Sequence, residues 1–563
     1  MTLTRRGKLV IVGIVALLVG GTASRVLEDR ETKRRAGLPT IQQMADDVGA
    51  PVMHLLARGY VPGRSGQVMI VPRPHRFFLN DWDLDALGTN RTLPKNTHVN
   101  PWNYMAHVPV IAYGGSVPQG VEVDRAVDVT TIGSTIAEIV GIEGLTDPSP
   151  PLTEIVDAQQ SPPRAVVTIV LDGAAWNVYE RYPDAWPNIK ALQEQGTTYT
   201  QASIGSWVPY TGPIHANIST GAYPTVHGVN GNTIMEGGDP APMRVPTVSD
   251  LWGEQTDNRA VTAMVAFDDF HVTLLGHGTT YANGDADPAV WWDLENDDWK
   301  TTEPNFRIPD YIEAVDPSIV ERFERQMDMR DGKDDERWFG HTWKELRENH
   351  FRGATPAFSK VAGNFTLEMI RNEGIGEDDI TDLMWVEMKS IDHVGHSWTI
   401  SGPEAEDGLK ELDAQVARIT AELDEKLGRE NYVVFISADH GMELLPELTG
   451  GWRVAWIELG NDLAREFGAA VKRSRLVEVE IDVAELRRAG HTLEEVARFL
   501  GAYTIADNIP VGRSGADRVP EDRLNERLFA GAFPGPFLAS LTPAEIDAFG
   551  PGIYPGADVP TMR

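Results

Sequence analysis

Aspartate and histidine residues follow three separate apolar segments of this sequence, at spacings suited to metal binding. Asp172 ends AVVTIVLD, Asp392 and His396 follow DLMWVEMKS, and SADHG carries the adjacent pair Asp439 and His440. A single aspartate after a strand is usually a turn former, and a single histidine is usually structural. Three strand ends with this composition favour a common site, because converging carboxylates need cations to offset their repulsion. Mixed imidazole and carboxylate donors favour Zn²⁺ and are also compatible with Mn²⁺.

A threonine near the middle of the chain is the candidate nucleophile. Thr211 stands directly before Gly-Pro in SWVPYTGPIHANISTG, where a helix start is predicted and backbone N–H groups favour anions. A threonine hydroxyl is inert at neutral pH, but coordination to a divalent cation can activate it for attack. The alternative interpretation is that Thr211 only caps the helix, which is the commoner role of an isolated threonine.

These residues require a sheet that brings their strands together. The predicted central strands are short apolar runs rich in β-branched residues: AVVTIVLDG (165–173), AVTAMVA (260–266), DLMWVEMK (382–389) and YVVFISADHG (432–441). Helical patterns lie between them, the clearest at 403–428, and this alternation predicts a doubly wound, mostly parallel α/β sheet sandwiched by helices. Such sheets bind ligands at the carboxyl ends of their strands, which is where the candidate residues fall.

Composition and the amino terminus narrow the class of function. The chain has 563 residues, 42% of them hydrophobic, and a formal net charge of −33, so a globular protein that does not bind nucleic acid duplexes is expected. It has no cysteine, which excludes disulfides, thiolate ligands and cysteine nucleophiles. The apolar run 9–21 follows basic residues and predicts an extracytoplasmic protein. Residues 1–23 are then either a cleaved signal peptide or a membrane anchor, and 24–49 a charged tether.

Several motifs of this chain occur together in one known group of enzymes. LDG at 171–173, Thr-x-Pro-x-His at 211–215, Asp-x-x-x-His at 392–396 and SADHGM at 437–442 resemble the alkaline phosphatase superfamily. The resemblance is to its type I phosphodiesterase/nucleotide pyrophosphatase branch and to related alkaline phosphatases, and it covers nearly all of 160–445. It implies a hydrolase that acts on small phosphate esters through a threonine nucleophile and two zinc ions.

The same resemblance implies a role for each site residue. One cation would be held by Asp172, Thr211, Asp439 and His440. The other would be held by Asp392, His396 and one further histidine, and Asn232 would bind a phosphate oxygen.

The further histidine is absent from its usual place. In the family it lies in a Gly-Thr-His loop after the Asp-His-Gly strand, but here only His491 follows His440, beside a Thr-x-x-Glu box that starts a helix. NTHVNPWNYMAHVPVIAYGG (96–115) resembles that loop and its following strand instead. We therefore expect His98 to be the third ligand, whereas we interpret His107 and His393 as structural.

This placement of His98 predicts a circularly permuted chain, which is permissible where domain termini lie close together. Residues 50–157 would be the displaced carboxyl-terminal portion of the catalytic fold, joined by a proline-rich connector to the main catalytic domain. That domain would cover 165–563 and include a cap insertion at about 279–350.

The substrate class is less sharply defined. Monoesterases of the family carry Lys-x-Arg after the strand that here reads VTAMVA, whereas this chain has Phe267, Asp268 and Asp269. The loss of two cations, and an aromatic ring expected at the rim, favour phosphodiesters or nucleotide pyrophosphates. The segment 276–293 still resembles the monoesterase branch, so a phosphate monoesterase is the alternative. A non-catalytic cell-surface binding protein with a relic site is the alternative from another class, and the intact ligand set argues against it.

Overall fold

The computed structural model describes residues 38–79, 96–236, 239–277, 286–348, 353–509, 519–550 and 552. The predicted export segment 1–23 and the first part of the predicted tether lie outside the described residues. Within these ranges, no helix combines the length and the apolar composition needed to cross a bilayer.

The described strands, in chain order, are β1 Val68–Pro72, β2 Arg76–Leu79, β3 Val110–Gly114, β4 Val121–Asp128, β5 Ala165–Leu171, β6 Thr197–Ser203, β7 Met235–Glu236, β8 Asp239–Pro240, β9 Thr262–Val265, β10 Asp287–Asp293, β11 Asp298–Lys300, β12 Phe306–Arg307, β13 Arg337–Trp338, β14 His341–Thr342, β15 Asp382–Met388, β16 Tyr432–Ser437, β17 Trp452–Ala455, β18 Val471–Arg475, β19 Glu478–Ile481 and β20 Phe529–Pro534. The described α-helices are Ile41–Val48, Ala50–Gly59, Asn103–Ala106, Thr130–Val140, Thr153–Val156, Trp176–Arg181, Pro187–Glu194, Thr211–Thr220, Pro224–His227, Val248–Gln255, Asp269–Leu275, Asp310–Glu313, Ile319–Arg325, Trp343–Glu348, Pro356–Asn372, Ser390–Trp398, Pro403–Lys426, Pro446–Thr449, Trp456–Phe467, Val483–Arg488, Leu493–Gly501, Gly535–Ser540 and Pro543–Asp547.

A ten-stranded sheet forms the centre of the molecule. Its order is β11-β10-β9-β15-β5-β16-β3-β6-β4, with β12 paired to β10. The four strands predicted from sequence, β9, β15, β5 and β16, lie side by side and parallel. β3 runs antiparallel to both β16 and β6. The predicted α/β fold class, with a mostly parallel sheet, is confirmed.

Helices cover both faces of this sheet, since alternate residues of each buried strand enter different apolar clusters. In β5, Val167 and Ile169 belong to a cluster that includes the helices Pro356–Asn372 and Pro403–Lys426. Val166 of the same strand belongs to the opposite cluster, with the helix Thr130–Val140. Apolar burial on both faces explains why these strands read as continuous hydrophobic runs.

A second, antiparallel sheet has the order β18-β19-β1-β20. The helix Ile41–Val48 packs against it with Met44, Ala45 and Val48 buried, so the folded part begins inside the predicted tether. The predicted permuted portion 50–157 is divided, because β1 joins this sheet while β3 and β4 join the central one. The carboxyl-terminal strands β18 to β20 are likewise outside the central sheet.

The predicted cap is only partly separate from the central sheet. β10 pairs in parallel with β9 and therefore belongs to the sheet edge. The helix Ile319–Arg325 lies on the Pro356–Asn372 helix, outside the sheet. The inserted region thus starts as an edge strand and continues as an outer layer, within the part of it that the structure describes.

Candidate active site

The predicted ligands converge at the carboxyl ends of three adjacent strands. Asp172 follows β5, Asp439 and His440 follow β16, and Asp392 begins the first turn of the helix Ser390–Trp398 after β15. His396 lies four residues further along that helix, so both side chains project from one face. All five side chains lie in the buried interior or at its margin. Strand adjacency alone therefore assembles most of the site.

His98 completes one group of potential metal donors with Asp392 and His396. Oδ1 of Asp392 lies 3.6 Å from Nε2 of His98 and 3.3 Å from Nε2 of His396. The opposite ring nitrogens are engaged by backbone, since Nδ1 of His98 donates to Pro209 O at 2.7 Å and Nδ1 of His396 donates to Asn96 O at 2.8 Å. A carbonyl can only accept, so Nδ1 carries the proton of each neutral ring and Nε2 is the nitrogen that could bind a cation.

A second donor group surrounds His440. Its Nε2 lies 3.1 Å from Oδ2 of Asp439 and 3.6 Å from Oδ1 of Asp172. Nδ1 of His440 donates to Gly441 O, which again leaves Nε2 as an acceptor. The backbone N–H of Gly173 donates to Oδ1 of Asp439 at 3.0 Å and holds that carboxylate in place.

Thr211 is the first residue of the helix Thr211–Thr220, and Lys389 links its side chain to Asp172 of this second group. The capping position is Tyr210, and its side chain makes no capping bond, so Thr211 does not act as the N-cap. A buried lysine reaches it instead: Nζ of Lys389 donates to Oγ1 of Thr211 at 3.4 Å. The same Nζ lies 2.5 Å from Oδ2 of Asp172 and 3.2 Å from Oδ2 of Asp392.

Lys389 was not among the residues predicted for the site, because its sequence signal is weak. A lysine directly after the buried strand β15 and three residues before Asp392 could have been read as a buried cation. Single lysines at strand ends are mostly solvated, however, and no motif marks this one.

Asn232 lies at the opening of the site, beside the residue that follows Thr211. Its Oδ1 accepts a hydrogen bond from the backbone N–H of Gly212 at 2.9 Å. This bond fixes the orientation of the Asn232 side-chain amide.

A third group of donors, also missed, lies behind Asp172. It contains His215, from the Thr-x-Pro-x-His motif, and His271. Their Nδ1 atoms are 3.0 Å apart, and Nε2 of His271 is 3.9 Å from Oε2 of Glu387. Burial raises the pKa of Glu387 to about 8. His215 carried a motif signal, whereas His271 and Glu387 had none.

The polar atoms of the two predicted groups fit divalent cations. Four buried ligand atoms make no hydrogen bond within the described residues: Oδ1 of Asp172, Oδ1 of Asp392, Oδ2 of Asp439 and Nε2 of His440. A buried carboxylate oxygen without a hydrogen-bond partner is costly unless a cation compensates it. Burial and the nearby Asp439 carboxylate raise the pKa of Asp172 well above its usual range. Burial would also raise the pKa of Asp392, but Lys389 and His396 hold it well below its usual range.

The expected aromatic at the rim is not found. Phe267 is only 6% exposed and packs edge-to-face against Phe358 and His393. Its backbone N–H donates to Glu387 at 2.9 Å. The position at the end of β9 directs the ring into the core, so Phe267 offers no stacking surface for a leaving group.

Two of the histidines that we interpret as structural make contacts outside the two predicted donor groups. His491 lies against Phe467, next to the capping box formed by Thr492 and Glu495. His107 bonds to Thr200 O at 2.8 Å.

The fold and these clusters define an α/β protein with a candidate metal centre at the strand ends of its sheet. The family model "Type I phosphodiesterase / nucleotide pyrophosphatase" matches residues 166–534, well over half of the 563-residue chain. The chain therefore belongs to this family, and the predicted superfamily is confirmed. The match begins at β5, so His98 lies outside it.

Curated relatives and solved structures give weaker likenesses. The alkaline phosphatase PafA of Elizabethkingia meningoseptica is 26% identical over 329 residues, 50% of this chain and 60% of the relative. A protein named calcium-transporting ATPase from Myroides odoratus is 25% identical over 372 residues, 55% of this chain and 67% of the relative. A crystal structure of PafA has a TM-score of 0.49 at 21% identity, covering 60% of this chain and 76% of that one. The chain thus spans about three fifths of the PafA relative.

Proposed function

We propose that this chain is an exported, metal-dependent phosphoric ester hydrolase with Thr211 as its nucleophile and two divalent cations, for which Zn²⁺ suits the donors best. The observation that carries this proposal is the set of unpartnered, buried carboxylate and imidazole atoms at the strand ends, which Lys389 links to Thr211. Family membership supports the reaction class. One cation would lie among Asp172, Thr211, Asp439 and His440, and the other among His98, Asp392 and His396.

The chain's own residues suit attack in two steps. Bound divalent cations would favour ionisation of the Thr211 hydroxyl and offset phosphoryl charge. The bond from Oγ1 to phosphorus forms as the bond from phosphorus to the leaving oxygen breaks; the hydroxyl proton passes to water, and the leaving oxygen takes up a proton from water. Water then attacks the phosphothreonine and releases Oγ1, which regains a proton. Asn232, oriented by the Gly212 N–H, would donate to a non-bridging oxygen as charge develops.

Phosphodiesters or nucleotide pyrophosphates are the proposed substrates, because the residues after β9 are Phe267, Asp268 and Asp269 and supply no cation. A phosphate monoesterase is the second candidate. The buried ammonium of Lys389 beside Thr211 favours it, as does likeness to proteins named alkaline phosphatases.

We also infer that the chain is circularly permuted. Support comes from the position of His98 beside Asp392 and from the family match, which starts at residue 166 and leaves the His98 segment outside. The antiparallel strand β3, which follows that segment, fills a place next to β16 in the middle of the sheet.

Turnover and metal content together test the proposed function. The purified chain, loaded with Zn²⁺ and freed of excess metal, is assayed with bis(p-nitrophenyl) phosphate and with p-nitrophenyl phosphate, and its zinc is measured by elemental analysis. We expect two zinc ions per chain and a higher kcat/KM for the diester. A higher kcat/KM for the monoester would select the second candidate. Absence of both zinc and turnover would favour the alternative of a non-catalytic binding protein with a relic site.

A further inference from the structure

Lys389 is buried in the site, with a side chain only 7% exposed. Its ammonium is surrounded by oxygen: Oδ2 of Asp172 at 2.5 Å, Oδ2 of Asp392 at 3.2 Å and Oγ1 of Thr211 at 3.4 Å. A charged amine this deep requires several anionic or polar partners to offset its desolvation.

The two carboxylates divide their oxygens between Lys389 and the donor groups. In both Asp172 and Asp392, Oδ2 contacts the ammonium while Oδ1 makes no hydrogen bond within the described residues. Oδ1 of Asp172 faces His440, and Oδ1 of Asp392 faces the imidazoles of His98 and His396. The ammonium therefore leaves the metal-facing oxygens of both carboxylates without a hydrogen bond among the described residues.

We propose that Lys389 is a catalytic residue whose ammonium, a fixed cation of the site, donates a hydrogen bond to Oγ1 of Thr211 and stabilises negative charge on that oxygen. This inference rests on the proposed function, in which Oγ1 attacks phosphorus. The charge on Oγ1 is largest just before the bond to phosphorus forms and again when water displaces the oxygen. A donor held in place before either event stabilises that charge without reorganisation.

The position of the lysine suits this role. Lys389 is the residue immediately before the helix Ser390–Trp398, at the end of β15, next to the strand β9. The residues after β9 carry no cation in this chain, so Lys389 places a single positive charge on the neighbouring strand end. The ammonium thus gives the site one cation that does not depend on metal supply.

Lys389→Met, which keeps the length of the side chain and removes its charge, tests the inference. We expect two zinc ions per chain to be retained, kcat to fall by about 10²-fold and KM to change by less than about threefold. Lys360→Met is the matched control, because Lys360 contacts Gln326 and Phe323 on the surface, away from the site. That control should match the wild-type chain in all three quantities.

Chemical rescue separates a catalytic role from a structural one. Lys389→Ala should recover at least about tenfold in kcat with propylammonium chloride, and not with sodium chloride at equal ionic strength. Wild-type kcat in Lys389→Met would overturn the inference, as would loss of zinc from that variant or absence of rescue in Lys389→Ala.

A different measurement, the turnover of Thr211→Ala, tests the proposed function. Wild-type turnover by Thr211→Ala would show that Thr211 is not the nucleophile. It would overturn the proposed function and the lysine inference together. Inactive Thr211→Ala together with fully active Lys389→Met would overturn the lysine inference alone.

Discussion

The imidazole rings of His98 and His440 stack face to face, with centroids 3.6 Å apart and planes inclined by 7°. The two residues belong to different donor groups, so the stacked rings bring the two candidate cation sites next to each other. Each ring donates Nδ1–H to a backbone carbonyl. The segment that carries His98 is therefore held in the site by these contacts.

His98→Ala should lower the zinc content from two ions per chain to one, since Asp392 and His396 alone offer an incomplete ligand set. Elemental analysis after dialysis against metal-free buffer measures the change. His491→Ala is the matched control, because His491 is the other histidine considered for this role and lies against Phe467. Loss of zinc in the control, with two ions retained in His98→Ala, would contradict the assignment and the permuted topology together.

Thr211→Ala should reduce kcat for the preferred ester by about 10⁴-fold, because the attacking oxygen is removed. Thr211→Ser keeps a hydroxyl and should retain measurable turnover. Acid-quenched wild-type enzyme should carry a phosphoryl group on the tryptic peptide that contains Thr211, detected by mass spectrometry. A phosphorylated peptide from elsewhere in the chain would rule out this nucleophile.

Glu443→Gln should weaken both stability and zinc binding at the His98 group. The fully buried carboxylate of Glu443 accepts from Tyr104 at 2.7 Å and Asn100 at 2.8 Å, and lies 2.7 Å from Nδ1 of His75. Its backbone N–H donates to Thr97 O at 3.1 Å, next to His98.

Because a neutral amide cannot accept all of these bonds, we expect a loss of about 2 kcal/mol in the free energy of unfolding by urea. The zinc affinity should fall about tenfold, measured by competition with a chelator. Glu180→Gln, on an exposed helix position, should change neither. Unchanged zinc affinity in Glu443→Gln would show that the network does not position His98.

Stability should decrease at alkaline pH because of His277. Burial lowers its pKa, but hydrogen bonds with Asp250 at 3.3 Å and Asp287 at 2.9 Å outweigh burial and raise the pKa to about 9. The folded-state value lies above the unfolded one, about 6.5. The stabilisation is therefore complete below pH 6.5 and is lost as the pH rises to about 9.

The size of this effect is about 3 kcal/mol. Urea unfolding at pH 6 and at pH 9.5 measures it, and His277→Gln should remove most of the difference between the two. If the free energy of unfolding of His277→Gln decreases equally between pH 6 and pH 9.5, other groups cause the pH dependence.

Strand-end motifs made much of this site predictable. Asp172, Asp392 and Asp439 each follow an apolar run, and parallel strands bring their carboxyl ends to one edge of the sheet. His98 was predicted through the resemblance of its segment to a loop of the family, and the structure places it beside Asp392. The assignment of its role as a ligand stays a prediction until metal is measured.

The sequence by itself determined the four central parallel strands and the chemistry at their ends, because periodicity and local motifs depend only on neighbouring residues. Tertiary structure alone decided that β1 joins a second sheet, that Phe267 turns into the core and that the ammonium of Lys389 reaches Thr211. Each of these outcomes depends on contacts between segments that are distant along the chain. Packing and the pairing of buried charges decide which segments come into contact, and local sequence patterns contain no information about those contacts.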